Sequence, residues 1–317
     1  MHLKYSIIVP VFNRPQEIQE LLESLEKQTH KDFEVLIIED GSTLDAKDIV
    51  TSFENKLNIR YFFKPNSGAG QSRNYGMERA QGNYFLILDS DVLVPEGYLA
   101  AIHKRLTENF TDAFGGPDAA HPSFTMLQKA IDYSMTAVLT TGGIRGSKKA
   151  KNKFQPRSFN LGISKKAFAK THGFSAMKIG EDIELTFRMW NLGFETQLIE
   201  EAYVFHKRRS TLRQFYQQTS NFGYARPFLN KKFPTSAKIT YWFPTVFILL
   251  FLVSLLGYAL GDTFLISCFG VYFCMLFIDC MFRYKNIFIA TLCCVTTWVQ
   301  FAGYGLGFLK AQLGFSK

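Results

Sequence analysis

The chain has 317 residues, 47% of them hydrophobic, and a formal net charge of +9 at neutral pH. That length supports one or two domains with a sizeable core. The basic excess does not mark a nucleic-acid binder, because no recognised binding motif accompanies it and basic residues gather before an apolar tail.

Tyr5 to Val9 reads as a first strand, ended by Pro10. A helix follows from Pro15, a residue suited to a first turn, with Asn13 placed to cap it. Ile18, Leu21, Leu22 and Leu25 then recur on one face. Further strands are predicted at Glu34–Ile38, Ile59–Phe63 and Tyr84–Leu88, with a helix at Gln71–Ala80 between the last two. This alternation over the first 115 residues is that of a parallel sheet wound with helices, and the near-continuous apolar runs are those of strands buried on both faces.

Beyond Phe114-Gly115-Gly116-Pro117 the pattern loosens. A helix is predicted at about Ser123–Leu139, then a loop carrying Gly142, Gly143, Gly146, Arg145, Lys148, Lys149, Lys151, Lys153 and Arg157. Such a loop is either a solvated surface segment or a flap for an anionic ligand or anionic lipid. Helical patterns return at Glu181–Leu192 and Thr211–Leu229, with a short apolar strand, Ala202–Phe205, between them.

After residue 238 the only basic residues are Arg283, Lys285, Lys310 and Lys317, and the only acids are Asp262 and Asp279. Three apolar segments, roughly 242–260, 264–282 and 286–309, each match the 17–25 residues that cross a bilayer. The third is the least apolar, with Thr296, Thr297, Gln300 and several glycines. A charged domain over 1–238 is therefore followed by a membrane region over 239–317 with about three spans. Gly261-Asp262-Thr263 has no basic residue, whereas Phe282-Arg283-Tyr284-Lys285-Asn286 has two. By the positive-inside rule, the second connection and the charged domain face the cytoplasm. The C-terminus would then lie outside, an assignment that Lys310 and Lys317 oppose. All five cysteines sit in this tail, so the charged domain forms no internal disulfide, as in a reducing compartment. At the N-terminus, Ile7-Ile8-Val9 is too short for the apolar core of a signal peptide.

Four signals fall at the ends of the four strands, where an open α/β sheet binds its ligand. They are Pro10-Val11-Phe12-Asn13-Arg14, Glu39-Asp40-Gly41-Ser42, Asn66-Ser67-Gly68-Ala69-Gly70-Gln71-Ser72-Arg73-Asn74 and Asp89-Ser90-Asp91. Two carboxylates one residue apart at a strand end can hold a divalent cation, and the cation can neutralise a diphosphate. Asp40 could accept from a base or ribose group. Gly68 and Gly70 permit close backbone approach at a helix start, where the dipole favours phosphate, and Arg73 offers two donors. Taken singly, each has an ordinary reading as a turn, a solvated helix face or an acidic first turn.

In this order and spacing the motifs resemble the family-2 inverting glycosyltransferases of the GT-A fold, over residues 4 to 226. The resemblance implies a Rossmann-like α/β nucleotide-sugar domain, with 1–115 as its donor half and 116–238 as its acceptor half and juxtamembrane helix. Donor contacts would come from Pro10, Phe12, Asn13, Asp40, Gly70, Arg73, Asp89 and Asp91. Ser158-Phe159-Asn160-Leu161-Gly162 resembles the strand bordering the acceptor, and Gly180-Glu181-Asp182 the Glu-Asp motif of the catalytic base. The base would be Asp182, with Glu181 beside it orienting acceptor or backbone. His206 matches a histidine that completes the metal site with Asp91 and Asp89, for Mn²⁺ or Mg²⁺. On the acceptor side the resemblance places Asn160, Gly180, Tyr224 and Arg226. Processive members carry Gln-x-x-Arg-Trp; here Gln217 to Arg226 contains no Arg-Trp pair, which is the pattern of single-addition enzymes.

Together, the resemblance and the apolar tail imply a membrane-anchored enzyme of the inner membrane, catalytic part cytoplasmic, using a nucleotide-sugar donor (UDP-linked by family frequency). Its acceptor would be a lipid-linked or membrane-proximal glycan, and its other partners membrane lipids. Two alternatives stay open: a polyprenyl-phosphate sugar synthase, and a non-catalytic nucleotide-sugar-binding or assembly subunit.

Overall fold

The computed structural model describes residues 2–119, 124–142, 153–207 and 209–315. The start of the helix expected at Ser123, most of the basic loop (Gly143, Arg145, Gly146, Lys148, Lys149 and Lys151) and Lys317 lie outside the described residues. Two compact units emerge, residues 1–121 with 148–206, and residues 122–147 with 207–317.

The first unit begins with β1 (Tyr5–Val11), α1 (Pro15–Glu26), β2 (Phe33–Asp40), α2 (Lys47–Ser52), β3 (Ile59–Lys64), α3 (Ala69–Arg79) and β4 (Tyr84–Leu88). Parallel pairing of β1 with β2 and β4, and of β2 with β3, builds the expected sheet. Next come β5 (Val92–Leu93), α4 (Tyr98–Glu108), β6 (Ala113–Gly115) and β7 (Asp118–Ala119). The chain returns to this unit with β8 (Asn160–Ser164), α7 (Lys165–Thr171), α8 (Glu181–Asn191), β9 (Thr196–Leu198) and β10 (Val204–His206), numbering helices through two that belong to the second unit. β8 enters antiparallel between β4 and β6, so the seven-stranded sheet runs β3-β2-β1-β4-β8-β6-β9.

Strand alternation sends side chains to two cores. Ile7, Val9, Val35 and Ile37 meet Ile18, Leu21, Leu22 and Leu25 of α1. Ile8, Leu36, Ile38 and Ile87 meet Met77 of α3 and Leu185 and Met189 of α8 on the opposite face. Each such side chain contributes roughly 1.5–3 kcal/mol by leaving water. The apolar stripe of α1 read from the sequence is thus its core face. The expected cap is not formed: Arg14 takes the cap position without a side-chain bond, while Asn13 adopts φ 55° and turns elsewhere.

The second unit holds α5 (Met126–Thr136), α6 (Val138–Thr141), α9 (Leu212–Lys232), α10 (Phe243–Ala259), α11 (Phe264–Tyr284) and α12 (Ile287–Gln312). Extended backbone at Ala137 (ψ 147°) divides the single helix expected to reach Leu139. Three helices are long and apolar enough to cross a membrane, Ile239–Ala259, Phe264–Tyr284 and Ile287–Gln312.

The compact units divide elsewhere than residue 238, because α5 and α9 pack with the apolar helices. Tyr133 of α5 donates to Asp279 at 2.5 Å, and Ser134 bonds the hydroxyls of Thr296 (2.6 Å) and Thr297 (3.2 Å). α9 meets α12 backbone to backbone. A Cβ on Gly303 would lie 2.1 Å from Thr219 Oγ1, and one on Gly307 2.2 Å from the Ser220 carbonyl oxygen. One on Gly223 would lie 2.1 Å from the Tyr304 carbonyl oxygen. Small residues four apart permit this approach, as in packed membrane helices.

Candidate active site

The site assembles in the first unit because a short second sheet, β5-β10-β7, carries one residue back to the end of β4. Antiparallel pairing sets His206 opposite Val92, next to Asp91. His206 Nε2 lies 3.2 Å from Asp91 Oδ1, and Phe159 stacks on the imidazole with centroids 4.7 Å apart. Ligand atoms of Asp89, Asp91 and His206 all fall within 4.8 Å of one another. Nδ1 of His206 is buried and has no hydrogen-bond partner among the described residues. Two hard carboxylates and an imidazole suit Mn²⁺ or Mg²⁺, so the residues present fit the ion that the sequence implied.

Arginines balance the carboxylates. Arg14, absent from the sequence-derived donor set, donates to Asp91 at 3.0 Å and to Glu17 at 2.8 Å. Arg73 is almost wholly buried, with a side-chain exposure of 4%, and bridges Asp89 (2.7 Å) to Glu181 (2.9 Å) over the ring of Phe174. Burial opposes the charge on Arg73, but Asp89 and Glu181 outweigh it and raise its pKa. A buried arginine held by two carboxylates on separate elements fixes β4 against α8.

Gly180 at φ 78° opens α8 and lets Glu181 and Asp182 occupy its first turn. Burial and the adjacent Asp182 push the Glu181 carboxyl up, against Arg73. Asp182 is more lightly held. Its Oδ1 accepts from the Ile183 N–H at 2.8 Å, and its Oδ2 accepts a long bond from the Ser158 N–H, 3.4 Å, with Arg157 at 4.0 Å. The third acid of this turn, Glu184, is fully buried and clamped by Arg188, which makes it a structural residue.

The loops after β1, β2 and β3 are tied to one another. Asn13 Oδ1 accepts from the N–H groups of Thr43 (2.9 Å) and Leu44 (3.0 Å). Asp40 is nearly inaccessible, and its oxygens accept from Lys64 Nζ and from the N–H groups of Ser67 and Gly68, both 2.9 Å. Although burial works against it, these bonds hold the Asp40 carboxyl below its ordinary pKa. The first amides of the turn that the sequence reserved for phosphate are therefore used by Asp40, and Gly68 takes φ 91° to present them. Gly70 packs against Phe174, 3.3 Å from where its Cβ would be. Phe12 is half exposed beyond Pro10 at the end of β1.

One acceptor-side expectation changes. Asn160 is 0% exposed, accepts from Tyr98 Oη at 2.7 Å and donates to the Ala202 carbonyl at 2.8 Å. It ties β8 to its neighbours and presents no atom to an acceptor. Tyr224 and Arg226 belong to the second unit, where Arg226 lies over the Tyr241 ring, 4.4 Å from its centroid. Of the residues the sequence reading missed, Arg14 stands inside a quoted motif and Phe159 in another. Arg14 reaches Asp91 because β1 pairs with β4, and Phe159 gains its role only once β10 brings His206 to the site, which no local pattern announces.

A central sheet whose strand order reverses beside β1, with an acidic cluster at the end of β4, defines a nucleotide-sugar-transferase type of domain. The profile of the family described as Glycosyl transferase family 2 matches residues 6–171. The chain belongs to that family. GlyG of Streptococcus pneumoniae serotype 4, a glycosyltransferase, is 27% identical over 215 residues, 65% of this chain and 71% of its own length. A GalNAc(5)-diNAcBac-PP-undecaprenol beta-1,3-glucosyltransferase of Campylobacter jejuni is 30% identical over 115 residues, 35% of this chain and 37% of that protein. Other relatives are much longer: an uncharacterized glycosyltransferase of Rickettsia felis is 42% identical over 106 residues, 33% of this chain and only 18% of its own length. Among solved structures, the mannosyltransferase PcManGT of Pyrobaculum calidifontis, in complex with GDP-Man and Mn²⁺, superposes with a TM-score of 0.68. It is 14% identical, over 100% of this chain and 89% of the other. Staphylococcus aureus TarS 1-349 with UDP-GlcNAc gives 0.53 at 18% identity, over 99% and 93%. At such identities the likeness is one of fold, a GT-A-like sheet domain.

Proposed function

We propose that the protein is a metal-dependent inverting glycosyltransferase that moves one sugar from a nucleotide-diphosphate sugar to a lipid-linked or membrane-proximal acceptor. One observation carries the reading: Asp89, Asp91 and His206 converge at the end of β4, while the Arg73 bridge fixes the Asp182 turn beside them. A donor and an ion, a leaving group and a base are thereby provided for within one cluster.

Asp91 and His206 would hold Mn²⁺ or Mg²⁺, with Asp89 toward ribose or sugar and metal-bound water. The ion, when bound, supplies charge to a departing diphosphate. Arg14 is the more exposed of the two site arginines, 36% against 4%, so it is the one free to leave Asp91 as a cation and diphosphate enter. Arg73 stays in place and keeps Asp89 oriented. Asp182 takes the proton of the incoming hydroxyl. The long contacts at its Oδ2 leave lone-pair capacity there, whereas Glu181 is committed to Arg73. Inversion needs only this one base.

A relative named for a lipid-linked acceptor and three apolar helices support placing the protein in the cytoplasmic membrane with its first unit inside the cell. The test is a donor screen on the full-length protein in nanodiscs. Nucleotide sugars, UDP-linked ones first, are offered with Mn²⁺ or Mg²⁺, and nucleotide release is read. Release from one donor class, dependent on metal, is the expected result. Binding without release from any donor, with membrane extract supplying acceptors, would favour a non-catalytic subunit and overturn the proposal.

A further inference from the structure

The contacts of α12 do not fit a helix that crosses the bilayer. Along α10 the partners on α12 run backwards: Trp242 meets Phe308 (4.9 Å between centroids), Thr245 donates to the Gly305 carbonyl, and Phe251 meets Trp298 (4.4 Å). Along α11 they run backwards too, from Phe273, whose carbonyl faces Cys294 Sγ at 3.6 Å, to the end of the helix beside the start of α12. α10 therefore leaves from one end of α12 and α11 returns to the other. The two lean together over its middle, where Phe247 touches Phe269, Trp298 and Phe301. In a bundle of three successive spans, α10 and α12 would run parallel. Here α12 is the base of a triangle whose apex is the 260–263 connection.

The other side of the base is polar. α5 holds Thr296 and Thr297, and α9 lies along Gly303 and Gly307. α9 carries Arg213, Gln217, Gln218, Arg226, Lys231 and Lys232, a set that hydrocarbon does not accept along a whole helix. If α12 crossed the membrane, α9 would be drawn in beside it. Charge agrees: Arg283 and Lys285 stand at the start of α12 and Lys310 at its end, so both ends carry the mark of the cytoplasmic side.

We infer that α12 lies along the membrane surface, that the α10–α11 hairpin is the part inserted in lipid, and that the chain end stays on the side of α9. This replaces the third span and the outward C-terminus expected from composition, and it removes the opposition of Lys310.

Two measurements on the full chain test it, and neither reads sugar transfer, so the outcome is independent of the enzymatic reading. First, tags at the N- and C-termini are digested with protease in right-side-out and inside-out vesicles. Both tags should be cleaved in the same preparation; cleavage in opposite preparations overturns the inference. Second, nitroxide labels replace Phe288, Val295 and Leu306 in turn, in a variant lacking the native cysteines. These three exposed positions share one stripe of α12. Equal immersion depths are the expected result. Positions 288 and 306 are separated by about 27 Å along a helix, so a depth that shifts steadily by that order means a spanning α12 and refutes the assignment.

Discussion

The two units use polar side chains in opposite ways. In the first, charged groups gather at one strand end: Arg14, Arg73, Asp89, Asp91, Glu181 and His206 balance one another at the sheet edge. In the second, hydroxyls and a carboxylate are spent between helices, as in Tyr133 to Asp279 and Ser134 to Thr296. A charge cluster costs stability unless every member is paired, so it persists where chemistry needs it. Helix-to-helix hydroxyl pairs and glycine contacts need no such reason; they hold an apolar assembly together where burial alone has little force. The first unit concentrates charge at one strand end, and the second ties together helices long and apolar enough to cross a membrane.

That contrast can be broken most directly at Asp91. Asp91→Ala should abolish turnover and metal-dependent nucleotide binding while leaving the fold, since Arg14 still pairs with Glu17. Calorimetric titration of Mn²⁺ with nucleotide checks it. Substantial turnover at saturating Mn²⁺ would show that the cluster is structural, like the polar pairs of the second unit.

Asp182→Asn should lower the rate roughly 10²–10⁴-fold, the usual worth of a general base, with donor affinity nearly unchanged. If affinity falls in step with rate, Asp182 binds the donor and the base is elsewhere. If most activity survives, the nucleophile is already ionised, as a lipid phosphate is, and the polyprenyl-phosphate reading gains.

For the second unit the sharpest probe is Gly307→Val. The new Cβ would meet the Ser220 backbone at 2.2 Å, and overpacking of this kind costs about 1–3 kcal/mol. Gly270→Val, with nothing within 4 Å, is the control. Thermal unfolding in detergent should show a lower Tm for the first variant only. Equal Tm values would mean that α9 and α12 do not depend on this contact.

Local patterns showed the strands of the first unit and the long helices of the second, but not how those helices pack. The strands of the first half, the α1 stripe, Asp89-Ser90-Asp91 and Glu181-Asp182 announce themselves through periodicity and strand-end position, which act over a few residues. The junction of β5 with β10, which delivers His206 to the ring of Phe159, joins segments more than a hundred residues apart. Arg14 and Arg157 acquire carboxylate partners only in three dimensions. Likewise Gly303 and Gly307 read as weak points in a span, because their value lies in α9, a helix whose partner no pattern names. Apolar length signals that a segment can enter lipid and is silent on its angle.

The smallest effect concerns Asp40, which the sequence assigned to the donor and the structure commits to the Ser67–Gly68 turn. Its carboxyl titrates below the ordinary 3.8, held down by Lys64 and the Ser67 amide against the cost of burial. A group with a lowered folded-state pKa stabilises fully above its unfolded value, and that stability is lost as pH falls through the folded value. Wild type should therefore exceed Asp40→Asn in stability at pH 5, and the gap should narrow as pH drops below 3.8. Glu34, also lowered by Ser6, the Gln81 amide and Arg60 despite burial, acts in both proteins and cancels in the difference. Denaturant unfolding at a series of pH values measures the gap. A gap constant with pH would mean that the shape of the side chain, not its charge, holds the turn, and Asp40 would then be free to turn its charge to the donor.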